Sequence, residues 1–202
     1  MTFFVLLLIA YLIGSIPTSF ILGKLLRGID LREHGSRNVG ATNAMRVLGK
    51  PLGIAVLIVD AAKGFFPTLL FPLITGESAL GFLSREDQAL FIGLAAVIGH
   101  MFTICLKFKG GKGVATAIGV YLALAPKALL LTFSICLILV ASTRYVSLGS
   151  LTGAILLPIF LLLVGPRSLL LVILTVLLGG LVIWRHRENI KRLARGTESK
   201  IF

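Results

Sequence analysis

Phe108 to Thr116 reads FKGGKGVAT, with Gly110, Gly111 and Gly113 around Lys112. Glycine allows backbone to approach an anion closely, and lysine adds one mobile ammonium. An apolar helix starting just after the loop adds its positive dipole end. The combination is chemistry for a phosphate group. It is not a nucleotide P-loop, because Gly113 stands where that motif needs Ser or Thr after the lysine. A flexible hairpin whose lysine touches lipid headgroups is the plainer reading of the same residues.

Three further clusters carry polar groups in otherwise apolar surroundings. Gly35 to Arg46, GSRNVGATNAMR, offers Ser36, Asn38, Thr42 and Asn43 as neutral partners, Gly40 as a turn residue, and Arg37 and Arg46 as charge. Such a loop can turn hydroxyl, amide and guanidinium groups toward one polar ligand. An interfacial loop with asparagine turns and snorkelling arginines fits equally well. In TRYVSLGSL, Arg144 precedes Ser147 and Ser150, whose spacing puts both serines on one helical face. In RHRENIKR, His186 and Asn189 share a face one turn apart, ringed by basic residues. That histidine is a candidate base or phosphate donor, or an interfacial side chain. Asp60 and Lys63 lie one turn apart inside an apolar run, where charges pair or face a cavity.

Several catalytic patterns are missing. His34, His100 and His186 are followed at the fifth position by Val39, Cys105 and Lys191, so there is no HxxxxD dyad. HExxH, GxSxG and clustered acidic metal ligands are absent too, so no metal or cofactor is expected. A reaction here has to start from an already activated substrate. Cys105 and Cys136 have neither metal-ligand spacing nor a disulfide context.

The elements that must position these residues are membrane helices. Of the 202 residues 57% are hydrophobic and only 14% charged, with a mean hydropathy of +1.02, which no ordinary soluble domain shows. Apolar runs extend over Thr2 to Leu22, Leu52 to Ile74, Ala89 to Leu106, Val114 to Ala125, Ala128 to Ser142, Leu151 to Val164 and Leu169 to Trp184. Pro17 is the only break in the first, which no basic residue precedes, so it reads as a retained anchor rather than a signal.

Charge chooses between seven spans and six. With seven, sixteen basic residues fall on one side, from Lys24 to Lys50, Lys107 to Lys112, Arg144, and Arg185 to Lys200. Only Arg85, Lys127 and Arg167 fall on the other. Fusing the short fourth and fifth runs gives ten against eight. The positive-inside rule therefore predicts an all-α polytopic protein with seven transmembrane helices, N-terminus outside and C-terminus cytoplasmic. Every polar cluster then lies on the cytoplasmic side. The net charge of +12 follows from these loops facing anionic lipid, and nothing suggests a nucleic-acid partner. No soluble segment or internal repeat divides the chain, so residues 1–202 are expected to form a single domain, with no obligate protein partner.

With GSRNVGATNAMR, FKGGKGVATA, RYVSLGS and RHRENIKRL in order along nearly its whole length, the chain closely resembles the bacterial acyl-phosphate:glycerol-3-phosphate acyltransferases. It departs from them at Arg37, where they often carry a small residue. The resemblance implies transfer of a long-chain acyl group from acyl phosphate to the 1-hydroxyl of glycerol 3-phosphate, in a bacterial cytoplasmic membrane. Lysophosphatidic acid and phosphate are the implied products, the first acylation of phospholipid synthesis. Lys112, His186, Asn189 and Ser150 become candidate catalytic residues. Ser36, Asn38, Gly40, Asn43, Arg46, Gly110, Gly111, Gly113 and Arg144 become candidate substrate-binding residues. The competing class is a small anion or lipid-phosphate transporter, which would use the same basic, glycine-lined features as a binding site.

Overall fold

The computed structural model describes residues 1–75, 83–164 and 168–201. Arg167, counted above on the sparsely charged side, lies outside them. The described residues contain helices and no strands. Contacts gather into two compact units, Met1–Leu124 and Ala125–Phe202.

In the first unit, α1 (Thr2–Ser15) and α2 (Thr18–Arg27) come from one apolar run broken at Ile16 and Pro17. The break falls at the one proline of that run, as a missing N–H and a fixed φ require. A loop leads to the short α3 (Ala41–Leu48), followed by α4 (Lys50–Thr75) and α5 (Arg85–Met101). Ser84 caps α5 by accepting the Asp87 amide at 3.1 Å. A 3-10 turn (Ile104–Leu106) and the glycine loop then lead into α6 (Val114–Leu124).

Absent side chains bring these helices together. A Cβ on Gly14 would lie 2.0 Å from the Ala96 carbonyl oxygen, and one on Gly99 would lie 2.1 Å from that of Tyr11. The seam between α1 and α5 is therefore backbone against backbone. Gly64 and Gly119 do the same for α4 and α6, where an added Cβ would lie 2.1 Å from the Thr116 carbonyl oxygen and 1.9 Å from that of Ala61. Small residues allow this approach where lipid offers no hydrophobic drive between helices. They also explain how α6, only 11 residues long, is held in place.

The second unit contains α7 (Pro126–Thr143), α8 (Val146–Val164), α9 (Leu169–Arg185) and α10 (Arg187–Ala194). Arg144, in the left-handed conformation at φ 66°, ends α7 and turns the chain into α8. α9 and α10 meet at a 59° bend centred on His186. Leu130, Leu137, Ile138 and Leu163 are among many large apolar side chains left exposed on these helices, as lipid-facing surfaces require.

Each of the seven apolar runs becomes helix. By length and composition five segments among the described residues are candidate spans, Thr2–Arg27 counting as one, and six if α9 and α10 form a single bent span. The helix the seven-span count adds is α6. At 1.5 Å per residue its 11 residues reach about 16 Å, roughly half a hydrocarbon core. It is nevertheless separate from α7, because Ala125 is non-helical and Pro126 opens α7.

Candidate functional site

The loop before α3 is organised from within. Gly28 ends α2 at φ 66°, and Asp30 then grips the Arg32 guanidinium, accepting from Nε at 3.0 Å and from Nη2 at 2.7 Å. Those hydrogen bonds hold the Asp30 carboxyl down at about 2. Asn43, in the first turn of α3, is buried and spends its amide on the loop. Oδ1 accepts the Ser36 N–H at 2.9 Å, while Nδ2 donates to the carbonyls of Asn38 (2.9 Å), His34 (3.1 Å) and Leu31 (3.3 Å). Ser19 fastens the far end of the loop by donating to the Val39 carbonyl at 2.5 Å. Asn43 is thus a loop organiser in this structure. Ser36 is left exposed, with Asn38, Gly40 and Arg46 half-buried around the same turn.

Arg37 sits at φ 58°. The left-handed region favours glycine, so the arginine is held here in a strained backbone conformation.

The glycine loop is fastened to the end of α5. Gly110 N–H donates to the Met101 carbonyl and Gly111 N–H to that of His100, each at 3.1 Å. These two amides, expected to face a phosphate, are directed at α5 instead. What the glycines supply is space. A Cβ would come within 2.1 Å of the His100 carbonyl oxygen at Gly110, and within 2.1 Å of His100 Nε2 at Gly111. Gly113, at φ 82°, makes the turn into α6 with Met101 Sδ 2.9 Å from where its Cβ would be. The donors pointing along the α6 axis are the first N–H groups of that helix, which have no intrahelical acceptor. Lys112, half-buried, leaves the loop one residue before Gly113. The features here that would suit an anion are therefore a helix N-terminus and a lysine, with the glycines packed beneath them.

In the second unit the polar residues centre on Glu198. Its carboxylate accepts from Asn189 Nδ2 at 2.6 Å, Ser147 Oγ at 2.7 Å and Arg192 Nε at 2.7 Å. Burial alone would raise its pKa, but these donors together bring it below the usual carboxylate value. The tail is further pinned by Ile201 N–H donating to the Arg144 carbonyl at 3.0 Å, with Lys200 over the Tyr145 ring. Nothing in the linear pattern singled out Glu198. The available signal was an acid isolated among Lys191, Arg192, Arg195 and Lys200.

His186 is buried at the bend, and its Nδ1 lies 2.8 Å from the Val182 carbonyl oxygen. A carbonyl can only accept, so Nδ1 carries the proton. Nε2 is then the basic nitrogen of the neutral ring, the state a general base needs. Both His186 and Asn189 are buried, His186 at the bend between α9 and α10 and Asn189 on α10 itself. Ser150 points its hydroxyl back to the Val146 carbonyl at 3.0 Å, while its neighbour Ser147 is the one that reaches Glu198. Among the described residues no group of three His, Cys, Asp or Glu side chains is arranged to hold a metal.

The chain matches the family model described as glycerol-3-phosphate acyltransferase over residues 4–196. It is 49% identical to a glycerol-3-phosphate acyltransferase of Trichlorobacter lovleyi, over 95% of this chain and 93% of that protein. The corresponding protein of Fusobacterium nucleatum is 44% identical, over 99% and 98%. Among solved structures it resembles the crystal structure of PlsY (YgiH), an integral membrane glycerol 3-phosphate acyltransferase, in its glycerol 3-phosphate form. The TM-score is 0.88 at 42% identity, covering 99% of this chain and 96% of that one. The lysophosphatidic acid form of PlsY matches with a TM-score of 0.85 at 40% identity, over 99% and 95%. Similarity of this extent, in sequence and in the arrangement of helices, makes the chain a member of the glycerol-3-phosphate acyltransferase family of integral membrane proteins.

Proposed function

We propose that the chain transfers a long-chain acyl group from acyl phosphate to the 1-hydroxyl of glycerol 3-phosphate, releasing lysophosphatidic acid and inorganic phosphate. The observation that carries this is Lys112 at the N-terminus of α6 in a loop with three glycines, in a chain of this family. The matched PlsY structures, in glycerol 3-phosphate and lysophosphatidic acid forms, support the same acceptor and product.

Acyl phosphate is a mixed anhydride, and its phosphate is a good leaving group. The glycerol hydroxyl oxygen bonds to the acyl carbon, the bond from that carbon to the phosphate oxygen breaks, and the hydroxyl proton passes to a base. No serine or cysteine acyl-enzyme, metal or cofactor is needed. Lys112 and the first amides of α6 neutralise a substrate phosphate and the charge growing on the departing one. Ser36, Asn38, Gly40 and Arg46 position a phosphate or glycerol group, on the loop that Asn43 shapes. Arg144 and Ser150 assist binding, and His186 with Asn189 orients the attacking hydroxyl. The proton goes to His186 Nε2 or to a phosphate oxygen of the donor.

In this reading the protein crosses a bacterial cytoplasmic membrane seven times. The N-terminus lies outside, the C-terminus and active site are cytoplasmic, and residues 1–202 act as a single catalytic domain.

The test is product formation by the purified chain with glycerol 3-phosphate and, in parallel, acyl phosphate, acyl-CoA or acyl carrier protein. Product from acyl phosphate alone is expected. Product from a thioester overturns the leaving-group argument, and no product from any donor in folded protein returns the case to a transporter. For the base, a rate limb near pH 6.5 that disappears in His186→Ala assigns the proton to His186. A limb that survives assigns it to the donor phosphate.

A further inference from the structure

Asp60 and Lys63 on α4 are almost fully buried, and neither has a part in the reaction proposed above. Lys63 Nζ donates to Asp60 Oδ1 at 2.7 Å, to the Ile16 carbonyl at 2.5 Å and to Thr18 Oγ1. Thr18 Oγ1 in turn donates to the same Asp60 oxygen at 2.9 Å. The pair is therefore tied to both sides of the break between α1 and α2. A small cavity of about 10 Å³, room for about one water, adjoins it, and Val39 of the first loop, His100 and Gly111 of the glycine loop are among its lining residues.

His100 connects this pair to the loop. Its Nδ1 is 3.9 Å from Asp60 Oδ1, a close approach beyond hydrogen-bond range. Its carbonyl accepts Gly111 N–H, and its Nε2 is where a side chain at Gly111 would have to go. One edge of the imidazole thus faces Asp60 and the other supports the residue before Lys112.

We propose that Asp60, Lys63 and His100 are positioning residues for the glycine loop. The ion pair, locked to the helix break, fixes the imidazole, and the imidazole sets the height of Gly111 and with it the direction in which Lys112 leaves the backbone. None of the three touches substrate. The inference rests on the phosphate role given to Lys112, and it separates these residues from a pair that only neutralises itself. A self-neutralising pair affects stability, whereas a positioning device affects binding of the ligand that Lys112 holds.

The experiment uses the full purified chain with glycerol 3-phosphate and acyl phosphate. Lys112→Ala first identifies the substrate whose KM that lysine controls. Asp60→Asn and His100→Gln are each expected to raise that same KM about tenfold, the scale of a sub-ångström misplacement, and to lower kcat in the same direction as Lys112→Ala but by less. The double variant should be no worse than the more severe single one, because both act through one contact. Should Asp60→Asn misfold by stranding the Lys63 charge, Asp60→Asn with Lys63→Met leaves no buried unpaired charge, and the same KM rise is expected. Gly111→Ala, which forces a Cβ into the ring, should reproduce the defect and add little to His100→Gln. An unchanged KM in folded variants, or effects that multiply, overturns the proposal. A failure of the catalytic reading shows instead in the unsubstituted chain, as no product from any donor. The proposal is then judged by calorimetric binding of glycerol 3-phosphate and inorganic phosphate, where the same substitutions should weaken affinity and equal affinity overturns it.

Discussion

Lys112 stands at the mouth of α6 with Gly113 turning behind it, so its ammonium acts beside a helix dipole rather than alone. Removing one donor from such a preorganised group costs about 10²–10³ in turnover. Lys112→Ala is expected to lose that much while remaining folded and membrane-inserted, and near-normal turnover in an inserted protein would remove the lysine from its assigned role. Arg37 makes a different prediction. A residue with a Cβ in the left-handed region costs about 1–2 kcal/mol, and the greater freedom of an unfolded glycine offsets about 0.5–1 of it. Because Arg37 is exposed at φ 58°, Arg37→Gly should stabilise the protein by up to about 1.5 kcal/mol, read as a rise in Tm in detergent. A fall in Tm would show that the guanidinium makes a contact worth more than the strain. At this scale composition told something: three glycines around a lysine picked out a loop that packs closely against the end of α5. It did not tell which way the amides of Gly110 and Gly111 point, because that depends on their pairing with the last turn of α5. Nor did it separate Asn43, which shapes its loop, from Ser36, Asn38 and Arg46, since all four are polar residues on one short segment.

At the scale of elements, α10 and the tail after it depend on one carboxylate. Glu198 joins the first turn of α8, through Ser147, to Asn189 and Arg192 on α10. Removing it strands three partly or fully buried donors, at about 1–3 kcal/mol for a buried unsatisfied group. Glu198→Ala should therefore free the tail and loosen α10, read as faster hydrogen exchange across residues 187–201. The carboxylate also makes the tail acid-sensitive. Its folded pKa lies below the ordinary glutamate value of 4.5, so its contribution is complete above that value and is lost as pH falls through the lower, folded one. Tail protection should persist at neutral pH and fade only below about pH 4.5. In Glu198→Gln that acid step should disappear, and an unchanged step would place its origin in another group. α8 and α9 were legible as apolar runs and the break at Pro17 was legible too, whereas α10 lies in the polar tail beyond the last run. The tether was not, because Ser147 and Glu198 are 51 residues apart and the bond exists only once the tail folds back.

For the molecule as a whole, the open quantity is the number of crossings, and α6 decides it. Its 11 residues do not span a bilayer by length, yet it is a separate helix, tightly apposed to α4 at Gly64 and Gly119 and interrupted from α7 at Ala125. Charge asymmetry argues that the chain emerges after it, because only then do sixteen basic residues gather on one side. A short helix can complete a crossing if the glycine loop before it enters the membrane depth, which non-helical backbone can do when buried in protein. Gly110, Gly111 and Gly113 are all buried, as that arrangement requires. Single cysteines distinguish the alternatives once Cys105 and Cys136 have been replaced by serine and alanine. Arg27→Cys, Lys107→Cys and Arg195→Cys should react with a membrane-impermeant thiol reagent only from the cytoplasmic side, and Arg85→Cys only from outside. Lys127→Cys is the deciding position. Labelled from outside, it makes α6 a crossing and the count seven. Protected from both sides, with Arg144→Cys labelled from outside, it makes α6 and α7 one bent crossing, and the C-terminus and the His186 cluster move to the opposite face from Lys112. A single-faced cytoplasmic active site would then be untenable, so the labelling of this one loop tests the topology and the proposed chemistry together.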